Sequence, residues 1–167
     1  MRIANDVRIL DLSWDGPFGF DDVAKNFHGS TDYGVYQIYG THAVFGPDAL
    51  LYIGMAEKNP FGQRIPDHDH WIDWEPSAAR IYLGRLCGTD KMTEAGDAEW
   101  CEMIRLAESL LIYFCSPPYN SKNIKTLGDH GPTMVQNFRR YHRLPRIVSN
   151  LYETAPVSQP DFKPYGW

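Results

Sequence analysis

The chain has 167 residues, a length that fits one domain of ordinary size. Hydrophobic residues make up 43% and charged residues 22%, which is typical of a globular protein and excludes a disordered one. The 21 acidic and 16 basic side chains give a net charge of −5, so a generally basic nucleic-acid-binding surface is excluded, although a local basic patch is not. No apolar run approaches the roughly 20 residues of a membrane-spanning helix.

The cysteine pattern favours a reducing compartment. Cys87, Cys101 and Cys115 are odd in number and form no CxxC pair. This suits the cytoplasm better than a disulfide scaffold. The first residues also lack the apolar core of an export signal. We therefore expect a cytoplasmic protein without a membrane anchor, in which all three cysteines are buried packing residues.

The first half of the chain is rich in predicted strands. Apolar alternation predicts a strand at Val7–Trp14, and β-forming residues predict two more at Tyr33–Tyr39 and Leu50–Gly54. Gly40–Asp48, with two glycines and one proline, predicts a connecting loop, so the strands on either side of it should be antiparallel neighbours. Phe20–Phe27 predicts a short helix.

The second half contains the strongest helix signal. Arg80–Leu86 alternates as a strand does, and a helix is predicted from Thr93, as its N-cap, to Cys115, just before Pro117. Apolar residues recur along this helix at steps of three and four: Trp100, Met103, Ile104, Ala107, Leu110, Leu111 and Phe114. Beyond it, Met134–Arg139 and Arg146–Tyr152 predict two strands or a strand and a helix. The order of elements indicates a small α/β domain with a mainly antiparallel sheet.

Glu108 lies at the edge of this apolar stripe. A carboxylate there is partly desolvated, which costs free energy unless it is paired or binds a cation. A salt-bridged surface glutamate is the ordinary interpretation of such a residue. A metal ligand that faces a cleft is the functional one.

Two tyrosines and an arginine–histidine pair are further candidates. Tyr36 and Tyr52 lie on adjacent predicted strands, each two residues from a glycine, which often marks the close approach of another backbone or a ligand. Arg64 and His68 are four residues apart, and on a helical turn they would share a face suited to a phosphate. Pro66 between them puts that shared face in question. Taken alone, the tyrosines are better explained as a cross-strand aromatic packing pair, and the arginine–histidine pair is unremarkable.

Together these residues resemble the GIY-YIG nuclease family. Gly34-Val35-Tyr36 and Tyr52-Ile53-Gly54 look like the two tripeptides that name the family. The order of the remaining residues is also similar to the family's, with an arginine and a histidine four residues later, a helical glutamate, and an asparagine after a proline-containing turn: Arg64, His68, Glu108 and Asn120. The resemblance covers about residues 33–123.

The resemblance implies an α/β fold with a small antiparallel three-stranded sheet flanked by helices. The whole chain, 1–167, would be one domain, with the nuclease core at about 33–123 and extensions at 1–32 and 124–167. It also implies hydrolysis of phosphodiester bonds with one Mg²⁺ per active site, Mn²⁺ being an alternative.

The family's residue roles carry over to this chain one by one. Glu108 would hold the metal, and Arg64 would neutralise the attacked phosphate. Tyr36, helped by His68, would activate the attacking water, while Tyr52 orients groups at the phosphate. Asn120 would support the site. His70 is an alternative to His68. Asp67-His68-Asp69-His70 also imitates a metal cluster, but it lacks a third ligand at defined spacing.

The substrate is expected to be DNA. Pro117–Asn150 carries six basic residues against one acidic residue, with aromatic residues between them, a composition typical of a nucleic-acid-binding surface. The predicted nucleic-acid-binding residues are Lys58, Lys122, Lys125, Arg139, Arg140 and Arg143. A homodimer would allow cleavage of both strands. The alternatives are an RNA nuclease, or a non-catalytic module that binds nucleic acid or protein on the same scaffold.

Overall fold

The computed structural model describes residues 2–4, 6–66, 79–87 and 97–151. Ten elements lie within these ranges, and they are, in chain order, β1 (Arg2–Ala4), β2 (Val7–Phe18), α1 (Phe20–Asn26), β3 (Gly34–His42), β4 (Gly46–Ala56), α2 (Phe61–Arg64), β5 (Arg80–Cys87), α3 (Ala98–Cys115), β6 (Thr133–Arg139) and β7 (Ile147–Ser149). None of the helices in the described ranges has both the length and the apolarity needed to cross a membrane.

All seven of these strands belong to one mixed sheet. Six of them follow the order β4-β3-β5-β2-β6-β7, and β1 pairs with β2 outside this path. The β2–β6 pairing is parallel, and every other pairing is antiparallel. β4 therefore lies at one edge of the sheet.

The prediction of a small three-stranded sheet flanked by helices is wrong. β3, β4 and β5 do pair with one another, but β5 also pairs with β2, and β2 with β6, so the segments predicted as extensions supply strands of the same sheet. Leu10, Leu12 and Val135 on these strands are almost fully buried. Because their apolar side chains need a shared core, these strands join the sheet and do not form separate appendages.

The β3–β4 connection is shorter than the sequence suggests. The two strands extend through most of the predicted loop and leave a three-residue turn at residues 43–45, followed by Gly46 at φ 78°. A three-residue hairpin loop with glycine in the left-handed region is a common hairpin type. The prediction of antiparallel pairing between these two strands is confirmed.

α3 packs on one face of the sheet. Asp97 caps it by accepting a hydrogen bond from the Glu99 amide, and the helix ends at Ser116, which adopts the left-handed conformation. Thr93, the predicted cap, lies outside the described residues. Most of the predicted apolar stripe is buried, but Phe114 is 44% exposed. Cys101 is buried, whereas Cys87 is exposed, which contradicts its prediction as a packing residue.

The sheet separates two hydrophobic clusters. One lies under α3 and contains Tyr39 and Tyr82 from the sheet. The other lies under α1 and α2 and contains Tyr36 together with Phe61 and, at its margin, Tyr52. The two tyrosines of the predicted site therefore face away from the core that α3 covers.

Candidate active site

Gly54 brings the two predicted site tyrosines together. Tyr36 lies directly opposite Gly54 in the β3–β4 ladder. A Cβ atom at position 54 would lie 2.5 Å from the Tyr36 hydroxyl and 2.6 Å from the Tyr52 ring. Because glycine has no side chain, the Tyr36 ring can cross β4 and approach Tyr52, with 6.1 Å between the ring centroids. Tyr36 is fully buried and Tyr52 is half-buried.

Gly34, the glycine of the first tripeptide, is needed for a different structural reason. Gly34 has φ 147°, and a Cβ atom there would collide with the backbone carbonyl of Gly84 on β5. This position therefore needs glycine for its backbone conformation and for the close approach of β5. Gly34 is thus required by the backbone of β3 and the approach of β5, and Gly54 is required by the crossing of the Tyr36 ring.

Arg64 reaches the tyrosines through a short helix anchored on Tyr36. The Phe61 ring at the start of α2 contacts Tyr36 edge to face, with the centroids 6.4 Å apart, and the Phe61 amide donates to the Asp32 carbonyl at 2.8 Å. Arg64 is the last residue of α2 and is half-buried. The positive charge of Arg64 acts on both Tyr52 and Glu108.

Glu108 on α3 is the carboxylate of the site. Burial raises the pKa of its carboxyl group to about 7, and repulsion from Glu57 adds to this, while Arg64 and Lys122 act in the opposite direction. Burial also raises the pKa of the Tyr52 hydroxyl, as does the negative charge of Glu108, whereas Arg64 and a hydrogen bond with Tyr36 oppose this. Arg64 and Glu108 therefore both act electrostatically on Tyr52, Glu108 from α3, which packs on the other face of the sheet.

Asn120 supports the site from outside the sheet edge. Its Nδ2 donates to the Ile53 carbonyl at 2.8 Å, and its Oδ1 accepts from the Ile53 amide at 3.0 Å. The neighbouring Tyr119 amide donates to the Leu51 carbonyl at 3.1 Å. Backbone groups on both sides of Tyr52 are thereby paired, so the edge strand is held in place where it carries the site.

Glu57 is a residue that the sequence analysis missed. It follows β4 directly, and Arg105 holds it from α3, with Nη2 3.0 Å from Oε1 and Nε 2.7 Å from Oε2. Its charge acts on Glu108. The sequence did contain a signal for this residue, because Glu57 is a carboxylate that follows Gly54 by three residues at the end of a predicted strand. Arg105 therefore offsets only part of the charge of Glu57, whose buried Oε2 makes no hydrogen bond within the described residues.

Among the described residues, Glu108 is the main candidate for a metal ligand. Within the part of the chain that the structure describes, no three His, Cys, Asp or Glu side chains form a group that could hold a metal ion. The predicted helper His68, its alternative His70 and the adjacent Asp67 and Asp69 lie outside the described residues. Glu108 could still bind Mg²⁺, because this ion keeps several waters and needs only one or two carboxylates.

The predicted nucleic-acid-binding residues occupy several places. The positive charge of Lys122 acts on Glu108, and Lys58, Lys122 and Lys125 are all exposed. At the carboxyl ends of β2 and β6, Arg140 Nη1 donates to the Gly16 carbonyl at 2.9 Å and Arg139 lies 3.8 Å from Asp15. The six residues are therefore distributed over more than one part of the surface.

Arg143 belongs to a cluster around Asp48 that the sequence did not predict. Asp48 contacts Arg80, Arg143 Nη2 at 3.1 Å and His142 Nε2 at 3.0 Å. Burial opposes ionisation of Asp48, but the hydrogen bond to His142 and the charges of His142 and the two arginines together lower its pKa. The His142 ring also stacks on Tyr82 at 4.9 Å, on the α3 side of the sheet.

Comparisons of the chain with protein-family models, with curated proteins and with solved structures found no match.

Proposed function

We propose that this protein is a metal-dependent endonuclease of the GIY-YIG type that hydrolyses phosphodiester bonds in DNA. The observation that carries the proposal is the approach of Tyr36 to Tyr52 at Gly54, together with the electrostatic action of Arg64 and Glu108 on Tyr52. These residues come from four different elements. Their residue types supply a carboxylate, a cation and two hydroxyl groups, which is what phosphodiester hydrolysis needs.

Glu108 would hold Mg²⁺ or Mn²⁺. Its carboxylate is desolvated and repelled by Glu57, so a bound divalent cation would stabilise its charged form. When bound, the metal supplies Lewis-acid stabilisation of negative charge on the phosphate oxygens. The exposed Lys122 adds positive charge at the same place.

Arg64 and the tyrosines would act on the phosphate and the water. The Arg64 guanidinium would neutralise the attacked phosphate, because an arginine donates two parallel hydrogen bonds to phosphate oxygens. Tyr52 is a protonated phenol near neutral pH, and burial raises its pKa further, so it would donate a hydrogen bond to orient the phosphate. Tyr36, hydrogen-bonded with Tyr52, would position the attacking water, and His68 would assist it as a base.

We further propose a cytoplasmic location and cleavage of both DNA strands by a homodimer. The location is supported by the three cysteines, which are unpaired thiols. The homodimer is supported by the presence of a single catalytic carboxylate, Glu108, in the proposed site, because one such site cuts one strand at a time.

The test is cleavage of plasmid DNA, single-stranded DNA and RNA in Mg²⁺, Mn²⁺ or EDTA. We expect metal-dependent nicking of DNA, and a loss of at least about 10²-fold in Glu108→Gln, the scale on which charge-stabilising groups act in active sites. Glu99→Gln is the matched control, because Glu99 is an exposed carboxylate on the same helix. Undiminished cleavage in EDTA or in Glu108→Gln would overturn the assignment. Cleavage of RNA alone would indicate an RNA nuclease, and binding without cleavage a non-catalytic module.

A further inference from the structure

The tip of the β3–β4 hairpin exposes two large apolar side chains. Val44 is 80% exposed and Phe45 is 65% exposed. Neither belongs to the two hydrophobic clusters of the fold. Packing in the core therefore does not account for these two side chains, and exposed apolar side chains can mark a place of ligand contact.

His42 holds this tip in a defined shape. Its Nδ1 atom accepts hydrogen bonds from the backbone amides of Val44 at 3.2 Å and Phe45 at 3.3 Å. The Phe45 ring stacks on the His42 ring, with centroids 4.8 Å apart and an interplanar angle of 24°. The Phe45 ring is thus fixed in orientation while most of its surface faces solvent.

A third ring connects the tip with the candidate active site. The Tyr119 ring lies 5.7 Å from His42 and is 46% exposed. The Tyr119 amide donates to the Leu51 carbonyl, next to Tyr52. The rings of Phe45, His42 and Tyr119 therefore form a row that begins at the hairpin tip and ends at Tyr119, whose backbone contacts β4 one residue before Tyr52. We call this row the aromatic platform.

Positive charge lies near the turn of the same hairpin. Arg80 and Arg143 both contact Asp48, two residues beyond Gly46, and their side chains are 43% and 58% exposed. Two guanidinium groups share one carboxylate there, which leaves an excess of positive charge. Aromatic rings beside cationic side chains are the combination by which proteins bind single-stranded nucleic acids.

We propose that the aromatic platform stacks on unpaired nucleobases of a DNA strand whose backbone enters the candidate active site. This inference rests on the proposed function and specifies its substrate as DNA with single-stranded segments. Stacking uses the face of a base and not its hydrogen-bonding edge, so the platform would not select a particular base sequence.

The experiment measures binding of the full-length Glu108→Gln protein to an oligonucleotide of about 12 thymidines. Phe45→Ala should weaken this binding by at least about fivefold, because stacking on one base contributes that much or more. Phe45→Trp should retain it. Val44→Ala is the matched control and should change affinity by less than about twofold, because Val44 is an equally exposed neighbour without a ring.

An abasic oligonucleotide of the same length separates stacking from phosphate binding. It keeps the phosphates and lacks the bases, so Phe45→Ala should have no effect on its affinity. Equal losses on the two ligands, no loss on either, or no DNA binding at all would overturn the inference. So would sedimentation data in which Phe45→Ala separates a dimer and leaves thymidine binding intact, because the platform would then be a contact between two copies.

The proposed function and this inference can fail separately. Metal-dependent cleavage by the parent protein with no effect of Phe45→Ala on thymidine binding would leave the nuclease proposal standing and overturn the platform. A Phe45-dependent preference for thymidine over the abasic ligand, in a protein that cleaves nothing, would support the platform and contradict the nuclease.

Discussion

The role of Tyr36 can be tested by removing one oxygen atom, that of its hydroxyl group. It is fully buried and packs on Phe61, so its ring stabilises the fold, while its hydroxyl is hydrogen-bonded with Tyr52. Tyr36→Phe keeps the ring and removes the hydroxyl. If the hydroxyl positions the attacking water, cleavage should fall by about 10²-fold, at the lower end of what a positioned acid–base group contributes. The loss of one hydrogen bond should lower the free energy of unfolding by only about 1 kcal/mol.

The cleavage activity and the melting temperature of Tyr36→Phe together distinguish a catalytic role of Tyr36 from a packing role. Tyr33→Phe is a suitable control, because Tyr33 is a half-buried tyrosine that lies outside the proposed site. Full cleavage activity in a well-folded Tyr36→Phe protein would show that Tyr36 is only a core residue.

Glu108 makes stability depend on pH in a direction that can be worked out. Its pKa is about 7 in the folded chain against 4.5 when unperturbed, chiefly because it is buried. Between these two values the folded state holds more protons than the unfolded state, so the free energy of unfolding falls as pH rises. From pH 4.5 to 7 the free energy of unfolding falls by about 3 kcal/mol in total.

In metal-free buffer, Glu108→Gln should abolish this decrease of the free energy of unfolding with pH. The variant should therefore match the parent protein near pH 4.5 and exceed its stability at pH 8, as measured by urea unfolding across the pH series. Mg²⁺ should then stabilise the parent protein and not the variant, because only the parent has the ligand. Parallel pH curves for the two proteins would contradict the burial of this carboxylate.

At the scale of elements, the clearest dependence is that of β4 on the loop after α3. Asn120 pairs both backbone groups of Ile53 on the outer side of this edge strand. Asn120→Ala leaves these groups to water, and we expect a loss of about 1–2 kcal/mol in the free energy of unfolding, the sum of two ordinary hydrogen bonds. Cleavage should fall as well, because Tyr52 is next to Ile53.

Asn26→Ala is the control for Asn120→Ala. Asn26 makes one exposed side-chain hydrogen bond within α1, so its loss should cost less than about 0.5 kcal/mol. Hydrogen exchange at the Ile53 amide reports on the clamp directly. Unchanged protection of this amide in Asn120→Ala would show that the clamp does not hold the strand.

The elements themselves could largely be predicted from local patterns. The strong periodicity between Thr93 and Cys115 predicted α3, and alternation predicted β2 and β5, because each pattern reports which residues its own element buries. The three-residue turn at Ala43–Phe45 was missed because Gly40 and Pro47 imitate a loop. In the structure Gly40 lies within β3 beside a bulge, and Pro47 lies in the edge strand, where a missing N–H is tolerated.

At the scale of the whole molecule, the sequence could not predict how the strands join. β2 and β6 run parallel although 114 residues separate Phe18 from Thr133, and no local pattern specifies such a pairing. The candidate site residues could be proposed without the fold, because the resemblance to the nuclease family rests on their residue types and order. Glu57 and Asp48 were missed, since their importance depends on contacts with Arg105 and His142 from distant elements.

The distribution of charge over the molecule gives the last prediction, on how DNA binding depends on salt. The chain carries −5 overall, so any polyanion would have to bind to local basic surfaces. Each phosphate contact contributes about −0.9 to the slope of log affinity against log salt on duplex DNA. Arg139 and Arg140 lie beside Asp15 and Gly16, while the positive charge of Lys122 acts on Glu108.

Replacing Arg139 and Arg140 with alanine should flatten this slope by about one to two units, and so should replacing Lys122 and Lys125. Because the two pairs lie at different places, their effects should add in the fourfold variant. The measurement is DNA affinity of the Glu108→Gln protein over a salt series, with Lys25→Ala as an exposed control on α1 that leaves the slope unchanged. If the lysine pair flattens the slope and the arginine pair does not, DNA contacts only the surface around Glu108, and Arg139 and Arg140 serve the fold through Asp15 and Gly16. If neither pair changes it, the basic residues of this segment do not bind DNA.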